Sequence, residues 1–331
     1  LLLREVFLPD GAGIGVSFLR LAIGASELSE RSFTCKDRPA GEDDFALAHF
    51  DIAAGDREVL PLLQEILTIN PTLRVIASPW SAPPWMKTNR GFVAGRLRRE
   101  CFAVYAAYLV KYIVAMRENG IAVHAITVQN EPLNQKNEPS MVMEAGEQAE
   151  FVKQHLGPAW AQAGLREVEV FCWDHNCDRA EYPLAVLVDP EARRYMSGSD
   201  WHLYAGEISA LSAVHAAHPD MKLYFTEQWV GSDGQFGPDL LWHARNVLIG
   251  ALCNWSAAVF EWNLASDPAC GPHTPGGEAR CVGALTIGYE ISRNVAYYVI
   301  AHVATFVRPG SVRIFSQADA PLHSAVLLTR E

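Results

Sequence analysis

Residues 57–78 are REVLPLLQEILTINPTLRVIAS, an amphipathic stretch followed by a short apolar run. In the first part, apolar side chains recur at the i, i+3, i+4 spacing of one helix face: Val59, Leu62, Leu63, Ile66 and Leu67. The second part, Leu73–Ser78, is apolar without strict alternation, which is typical of a strand buried on both faces. The stretch therefore predicts one helix–strand unit of an α/β fold.

The same unit recurs along the chain. Six further apolar runs predict strands, which makes seven in all: Phe18–Gly24, Ala125–Asn130, Val168–Trp173, Ser199–Leu203, Leu223–Thr226 and Ala257–Trp262. Helices are also predicted over Cys101–Arg117, with Asn119-Gly120 as its end, and over Gln148–Ala163. Strands that alternate with helices predict a parallel sheet with crossover helices. A chain of 331 residues with this pattern favours a closed barrel over an open sheet.

The count of strands is one short of a (β/α)8 barrel. Because the sequence begins with Leu1 and not with Met, we expect the first strand to have been lost with a missing N-terminal segment. We therefore predict an N-terminally truncated TIM barrel over residues 1–308. After Pro309 the pattern changes, and Val312–Phe315 and Ala325–Leu328 predict antiparallel strands that begin a second, β-domain over 309–331.

Composition excludes several classes of partner. The 38 acidic and 27 basic residues give a net charge of −11, which argues against binding to nucleic acid. The longest apolar region, Val247–Phe260, is too short to span a bilayer. The seven cysteines form no C-x-x-C pair and are expected to be buried free thiols with at most one or two local bridges. Cys270 and Cys281, on either side of a Gly/Pro-rich loop, are the pair most favoured for a bridge.

Two glutamates stand at the ends of predicted strands. Residues 129–132 are Gln-Asn-Glu-Pro, after the third strand, and residues 226–229 are Thr-Glu-Gln-Trp, after the sixth. In a parallel barrel the carboxyl ends of the strands meet at one face, which carries the active site. Glu131 and Glu227 can therefore face each other across the barrel. Glycoside hydrolysis requires such a pair, one to protonate the leaving oxygen and one to attack the anomeric carbon or activate water.

Tryptophans accompany the two glutamates. Six of the nine fall at or just beyond strand ends: Trp80, Trp85, Trp173, Trp201, Trp229 and Trp262. The flat face of an indole can pack on the C–H surface of a sugar ring while its N–H finds a polar partner. Large aromatic residues can also simply fill the top of a barrel, and for each tryptophan taken alone both interpretations stand.

Several segments together resemble glycoside hydrolase family 30, which contains the glucosylceramidases and the β-1,6-glucanases. They are residues 77–89 (ASPWSAPPWMKTN), Asn130-Glu131-Pro132, His202-Leu203-Tyr204, Glu227 and Trp262-Asn263. The similarity extends from Leu1 to about Ile314. The resemblance implies a retaining mechanism on β-linked glucosides, a TIM barrel with a β-sandwich side domain, no cofactor or metal, and a secreted or periplasmic location.

The resemblance also implies roles for individual residues. Glu131 would be the general acid/base and Glu227 the nucleophile, and Asn130 would contact the sugar 2-hydroxyl. Trp80 and Trp262 would shape the subsite for the non-reducing-side sugar. His202 and Tyr204 would lie beside the nucleophile.

The acidic residues of the site lead to two expectations about pKa values and show two departures from the family. A hydrogen bond from Tyr204 would keep the pKa of Glu227 low, while burial would raise the pKa of Glu131. Glu27 and Glu261 stand where the family commonly has Asp, and both are expected to line the sugar site.

Other interpretations compete with this one. A metal-dependent barrel hydrolase would use Asp174, His175 and His202, but the chain contains no His-x-His motif. A catalytically incomplete carbohydrate-binding barrel fragment would keep the tryptophans without the activity. Within the family, the loops 137–143 and 174–179 look more like the microbial β-1,6-glucanases than the animal glucosylceramidases.

Overall fold

The fold is built on a sheet of seven parallel strands that follow one another in chain order. The computed structural model describes residues 1–55, 57–316 and 322–329. The sheet contains β1 Phe18–Ile23, β2 Arg74–Pro79, β3 Ala125–Thr127, β4 Glu169–Cys177, β5 Gly198–Gly206, β6 Lys222–Glu227 and β7 Ser256–Val259. All seven predicted strands are confirmed, and the curled sheet is a partial TIM barrel.

Helices connect successive strands and cover the outside of the sheet. The α-helices are Leu2–Phe7, Val59–Ile69, Phe102–Glu118, Ala145–Phe151, Gly157–Gln162, Glu181–Leu187, Pro190–Arg193, Ala210–Ala217, Phe236–Trp242, Gly250–Cys253 and Val295–Ala304. Short 3₁₀ turns cover Pro84–Met86 and Arg99–Cys101, and π-helical turns cover Val152–Leu156 and His243–Ile249. The predicted helix over Gln148–Ala163 is thus a continuous helical run that contains a π-helical turn.

Both faces of the sheet are buried over most of the middle strands, β2 to β6, which explains why these strands do not alternate between apolar and polar residues. One set of side chains packs against the helices, and Ile126 lies in a cluster with Tyr105 and Leu109 of the long third helix. The other set fills the barrel interior, where Ile76 and Phe171 pack together. The interior is therefore a packed core below the strand ends, as in other barrels of this class.

The sheet does not close through backbone pairing. Among the described residues, β1 pairs only with β2, and β7 pairs only with β6. A cavity of about 600 Å³ lies between these two edge strands. Side chains span the gap, since the rings of Phe18 and Phe260 are 4.9 Å apart.

Shorter strands extend the structure beyond the sheet. Val230–Gly231 pairs with Cys281–Val282, and Ala265–Ser266, Leu285–Ile287 and Ile291–Arg293 form a three-stranded sheet. Val312–Ile314 pairs antiparallel with Val326–Leu328, as predicted for the end of the chain. Residues 317–321, 330 and 331 lie outside the described part, and the domain boundary at 308 stays a prediction.

The expected disulfide between Cys270 and Cys281 is wrong, because both cysteines are free thiols. Cys281 is buried in a strand, opposite Gly231. The turn that carries Cys270 is closed by backbone hydrogen bonds of Asp267, with Gly271 O at 2.8 Å and Cys270 N at 3.1 Å. The loop is thus held without a covalent link.

No helix in the described ranges combines the length and apolar character needed to cross a membrane.

Candidate active site

Two buried glutamates meet at the carboxyl ends of the strands. Glu131 follows β3 and Glu227 ends β6, and both are almost completely buried. His202, on β5, lies between them, with its Nδ1 3.2 Å from Glu131 Oε1 and 3.8 Å from Glu227 Oε1. These two distances add up to about 7 Å, so the two carboxylate oxygens are at most about that far apart. Inverting enzymes hold their carboxyl groups about 6.5–9.5 Å apart, and the limit found here reaches only the lower end of that range.

Nitrogen atoms of four side chains surround the carboxylate of Glu131. Asn134 and Asn137 donate to Oε2 at 2.7 and 2.8 Å, and His175 Nδ1 lies 3.4 Å from Oε1, on the side shared with His202. Burial alone would raise the pKa of Glu131, but His175 and His202 outweigh it and lower the pKa well below its usual range. The expectation that burial raises this pKa is wrong, because it did not include the two imidazoles.

Glu227 is held from two sides. Arg20 Nη1 donates to Oε2 at 2.7 Å, and the Tyr204 hydroxyl donates to Oε1 at 3.0 Å. The contact expected between Tyr204 and this carboxylate is present. Burial nevertheless raises the pKa of Glu227 above its ordinary value, and Glu131 adds to the rise against the opposing charges of His202 and Arg20. The expected low pKa is therefore wrong for the free site.

Arg20 and Asp174 lie at the bottom of the site. Sequence reasoning did not identify Arg20, and it named Asp174 only in the metal-dependent alternative. Arg20 Nη2 donates to Asn130 Oδ1 at 2.7 Å and to Asp174 Oδ2 at 2.8 Å. Asp174 also contacts His202 Nε2 at 3.0 Å and accepts three hydroxyl hydrogen bonds, from Ser78, Thr127 and Thr226. Burial opposes ionisation of Asp174, but Arg20 and His202 hold its pKa far below the usual value.

A signal for Arg20 exists in the sequence. It is the one charged residue inside Phe18–Ile23, an otherwise apolar strand, and its side chain is almost completely buried. Such a charge needs a buried partner, because an unpaired charge in the interior is costly. A lone arginine in an apolar strand thus indicates an acidic site nearby.

The backbone of the site is strained at three positions. Glu131, Trp173 and Asp174 have φ values of 42°, 72° and 64°, in the left-handed region that residues with a Cβ seldom adopt. Each such residue costs on the order of 1–3 kcal/mol, and such residues cluster at functional sites. Two of these three residues, Glu131 and Asp174, contact the same imidazole, that of His202.

Two of the six tryptophans, Trp80 and Trp262, lie against Arg20, and Trp173 also packs on His175, with ring centroids 4.9 Å apart. Trp80 and Trp262 are stacked, with ring centroids 5.1 Å apart, and the Arg20 guanidinium is 4.8 Å from the Trp80 ring. The others have structural partners: Trp85 donates to Lys36 O, Trp201 donates to Ser199 Oγ, Trp173 packs on Tyr182, and Trp229 lies under Arg280. For these four, the filling of the barrel top is the better interpretation.

The structure brings Glu27 to the site but not Glu261. Glu27 is buried, and its Oε2 has no hydrogen-bond partner among the residues that the structure describes. The Glu261 carboxylate instead contacts His243 Nδ1 at 2.9 Å, on the helical layer outside the sheet. The neighbours of Glu261 face the interior, Phe260 in the barrel core and Trp262 against Trp80, so period-two alternation directs Glu261 outward.

Glu27→Gln is expected to stabilise the protein more at pH 9 than at pH 5. Burial, with the charges of Glu227 and Glu131, raises the pKa of Glu27 to about 8. The unfolded chain releases this proton near the ordinary pKa of about 4.3, whereas the folded protein keeps it up to about pH 8. The free energy of unfolding therefore falls as the pH rises from the unfolded pKa to the folded pKa. Glutamine removes this loss.

Thermal denaturation of both proteins at pH 5 and pH 9 measures the effect. The exposed Glu65 provides the control, since Glu65→Gln should shift stability equally at both pH values. If the difference in stability between Glu27→Gln and wild type were the same at pH 5 and pH 9, this result would contradict the raised pKa.

A partial α/β barrel that presents two buried glutamates and a stacked pair of tryptophans at its strand ends has the architecture of a glycoside hydrolase. The profile of the "Glycosyl hydrolase family 30 TIM-barrel domain" matches residues 1–307. The chain belongs to this family, which confirms the resemblance found in the sequence.

Relatives with known names fall in two groups. The chain is 34 % identical to the endo-1,6-β-D-glucanase neg1 of Aspergillus fumigatus, over 94 % of this chain and 66 % of that protein. It is 26 % identical to the lysosomal acid glucosylceramidase of Mus musculus, over 95 % of this chain and 64 % of that protein. The chain thus spans slightly less than two thirds of the length of these relatives.

Among solved structures, the endo-β1,6-glucanase BT3312 superimposes with a TM-score of 0.92 at 35 % identity, covering 99 % of this chain and 76 % of that one. SrfJ from Salmonella typhimurium superimposes with a TM-score of 0.91 at 28 % identity, covering 99 % and 74 %. The fold of the partial barrel is therefore that of about three quarters of each of these two chains.

Proposed function

We propose that this protein is a retaining β-glycosidase that hydrolyses β-1,6-linked glucan. The observation that carries the proposal is the pair Glu131 and Glu227, both buried and held within about 7 Å by the imidazole of His202. Trp262, which is partly exposed and stacks on the buried Trp80, gives this pair an aromatic surface on which a sugar ring can pack.

The two carboxylates take different parts in a double displacement. Glu227 attacks the anomeric carbon and forms a glucosyl ester, while Glu131 gives its proton to the leaving glycosidic oxygen. In the second step Glu131 removes a proton from water, which attacks the same carbon and releases Glu227. Arg20 and Tyr204 fix the oxygens of Glu227, so the nucleophile is oriented before substrate binds.

His202 accounts for the proton that Glu131 delivers. Burial would lower the pKa of His202, but the carboxylates of Glu227, Asp174 and Glu131 raise it to about 10. His202 is therefore protonated at neutral pH, and its Nδ1–H faces Glu131 Oε1. The proton can pass along this contact as the leaving oxygen develops charge, which reconciles the low pKa of Glu131 with its role as acid.

The choice of β-1,6-glucan is supported by similarity. The named endo-1,6-β-glucanases from Aspergillus fumigatus, Neurospora crassa and Trichoderma harzianum are 32–34 % identical to this chain, whereas the named glucosylceramidases are 26–29 % identical. Two loops, 137–143 and 174–179, also resemble those of the microbial β-1,6-glucanases. The first loop carries Asn137, and the second carries Asp174 and His175.

The proposal is tested by incubation with a β-1,6-glucan, a β-1,3-glucan and an aryl β-glucoside, with NMR observation of the first product. We expect the β-1,6-glucan to be cleaved fastest and the β-anomer to appear before mutarotation. First release of the α-anomer would contradict retention. A folded protein that binds glucan but cleaves none of the three would support the non-catalytic carbohydrate-binding alternative.

A further inference from the structure

Three atoms that can ligate a transition metal converge beside the nucleophile. Glu131, His175 and His202 each offer one ligand atom, a carboxylate oxygen or a ring nitrogen, and these three atoms all lie within 4.8 Å of one another. Zinc holds nitrogen and oxygen ligands at about 2.0–2.1 Å in a tetrahedron, which places ligand atoms about 3.3 Å apart. Glu131 Oε1 is 3.2 Å from His202 Nδ1 and 3.4 Å from His175 Nδ1, so two edges of the tetrahedron already have the required length.

We propose that these three residues bind a borderline divalent cation such as Zn²⁺, and that the bound cation inhibits hydrolysis. The site differs from a catalytic metal centre because its oxygen ligand is the acid/base itself. The inference therefore rests on the function proposed for Glu131.

The residues around the three ligands orient them as in known zinc sites. A histidine that ligates zinc usually gives its other ring nitrogen to a carboxylate. Here Asp174 Oδ1 lies 3.0 Å from Nε2 of His202, and Asp174 is itself fixed by Arg20 and by three hydroxyls. His202 is completely buried, so its Nδ1 stays directed at Glu131.

His175 supplies an independent observation. Its Nδ1 is buried and makes no hydrogen bond of acceptable geometry with any described residue, although it is 3.4 Å from a carboxylate oxygen. Buried polar nitrogens are rarely left in this state. A metal ion between His175 and Glu131 would satisfy both atoms, and the side chain of His175 is 12 % exposed, which leaves a route for the ion.

The charge of the site favours a cation. Three buried carboxylates contact His202 or lie next to it: Glu131, Asp174 and Glu227. Arg20 neutralises part of this charge through Asp174 and Glu227. A divalent ion that takes the place of the proton on His202 would therefore lie among three carboxylates and one arginine, an arrangement that favours a cation in a weakly screened site.

Binding would block the reaction through Glu131. An oxygen lone pair bound to the metal cannot carry the proton that the leaving oxygen requires. The metal would also replace the proton on His202 Nδ1, which is the source of that proton. Inhibition should therefore follow occupancy of the metal site.

Calorimetric titration with Zn²⁺, and visible absorption of the Co²⁺ complex, test binding without any substrate. We expect wild type to bind one ion with tetrahedral Co²⁺ bands, and His175→Ala to bind at least about 100-fold more weakly. His302→Ala, which removes an exposed histidine from the helix Val295–Ala304, should bind as wild type does. Equal Zn²⁺ affinity in wild type and His175→Ala would overturn the proposal.

Two further measurements keep the outcomes distinct. Glu131→Gln, which keeps the side-chain shape, should also weaken Zn²⁺ binding, so the test does not depend on one variant. Zn²⁺ should inhibit glucan hydrolysis at the concentration at which it binds, and EDTA should restore the rate. Binding without inhibition would overturn the inhibitory role. Absence of hydrolysis in the metal-free protein would instead overturn the proposed function and leave the binding result to stand.

Discussion

Glu227→Ala is expected to lower kcat on an aryl β-glucoside by at least about 10⁴-fold, since no other side chain can form the covalent intermediate. Alanine leaves a space between Arg20 and Tyr204, the two residues that orient the missing carboxylate. Azide fits such a space and carries the same charge. Added azide should therefore restore turnover, with α-glucosyl azide as product, because the anion attacks from the side of the lost nucleophile.

The matched variant Glu131→Ala separates the two roles. In this variant Glu227 still forms the glucosyl ester, and azide should attack the ester in place of water to give β-glucosyl azide. Glu65→Ala, on the exposed side of a helix, serves as the control and should keep wild-type activity. If Glu227→Ala gave the β-azide and Glu131→Ala the α-azide, the two roles would have to be exchanged.

Arg20→Met is expected to reduce both activity and stability. The variant leaves Asp174 and Glu227 buried without their shared cation, and loss of one partner of a buried ion pair costs about 3–5 kcal/mol. The oxygens of Glu227 also lose one of their two fixed contacts, so we expect kcat/KM to fall by at least about 10³-fold. Urea denaturation and steady-state kinetics measure the two effects.

Two comparisons show whether the loss arises from the uncompensated charge. Arg117→Ala removes an arginine from an exposed ion pair with Glu167 and should change stability by less than about 1 kcal/mol. In the double variant Arg20→Met/Glu227→Ala, one uncompensated carboxylate is gone, so part of the lost stability should return. Strictly additive losses in the double variant would show that the effect of Arg20 on stability does not arise from its ion pair with Glu227.

The central elements of the fold could be predicted because local patterns determine them. Each of the seven parallel strands is an apolar run between polar loops, and β3 and β6 carry their glutamates at the ends where barrels bind substrate. The short strands Ala265–Ser266 and Leu285–Ile287 were not predicted, since each is two or three residues long and depends on pairing across a loop. Such pairing leaves no periodicity in the sequence.

The electrostatics of the site could not be predicted from single residues. The low pKa of Glu131 results from His175 and His202 on two other strands, and the position of Asp174 results from Arg20 on a third. The direction of Glu261 depends on the register of the chain after β7, which family resemblance does not determine. These features require the strands to be brought together first.

The strained backbone at Glu131, Trp173 and Asp174 and the cluster of buried carboxylates affect how the protein would respond to laboratory evolution. Substitutions that relieve this strain or neutralise these charges are among those expected to increase the stability of the chain most. They fall at the residues that the proposed reaction uses. A screen for heat resistance alone would thus enrich inactive variants. Selection that alternates between heating and glucan cleavage would direct changes to the outer helices, where stability can rise without loss of turnover.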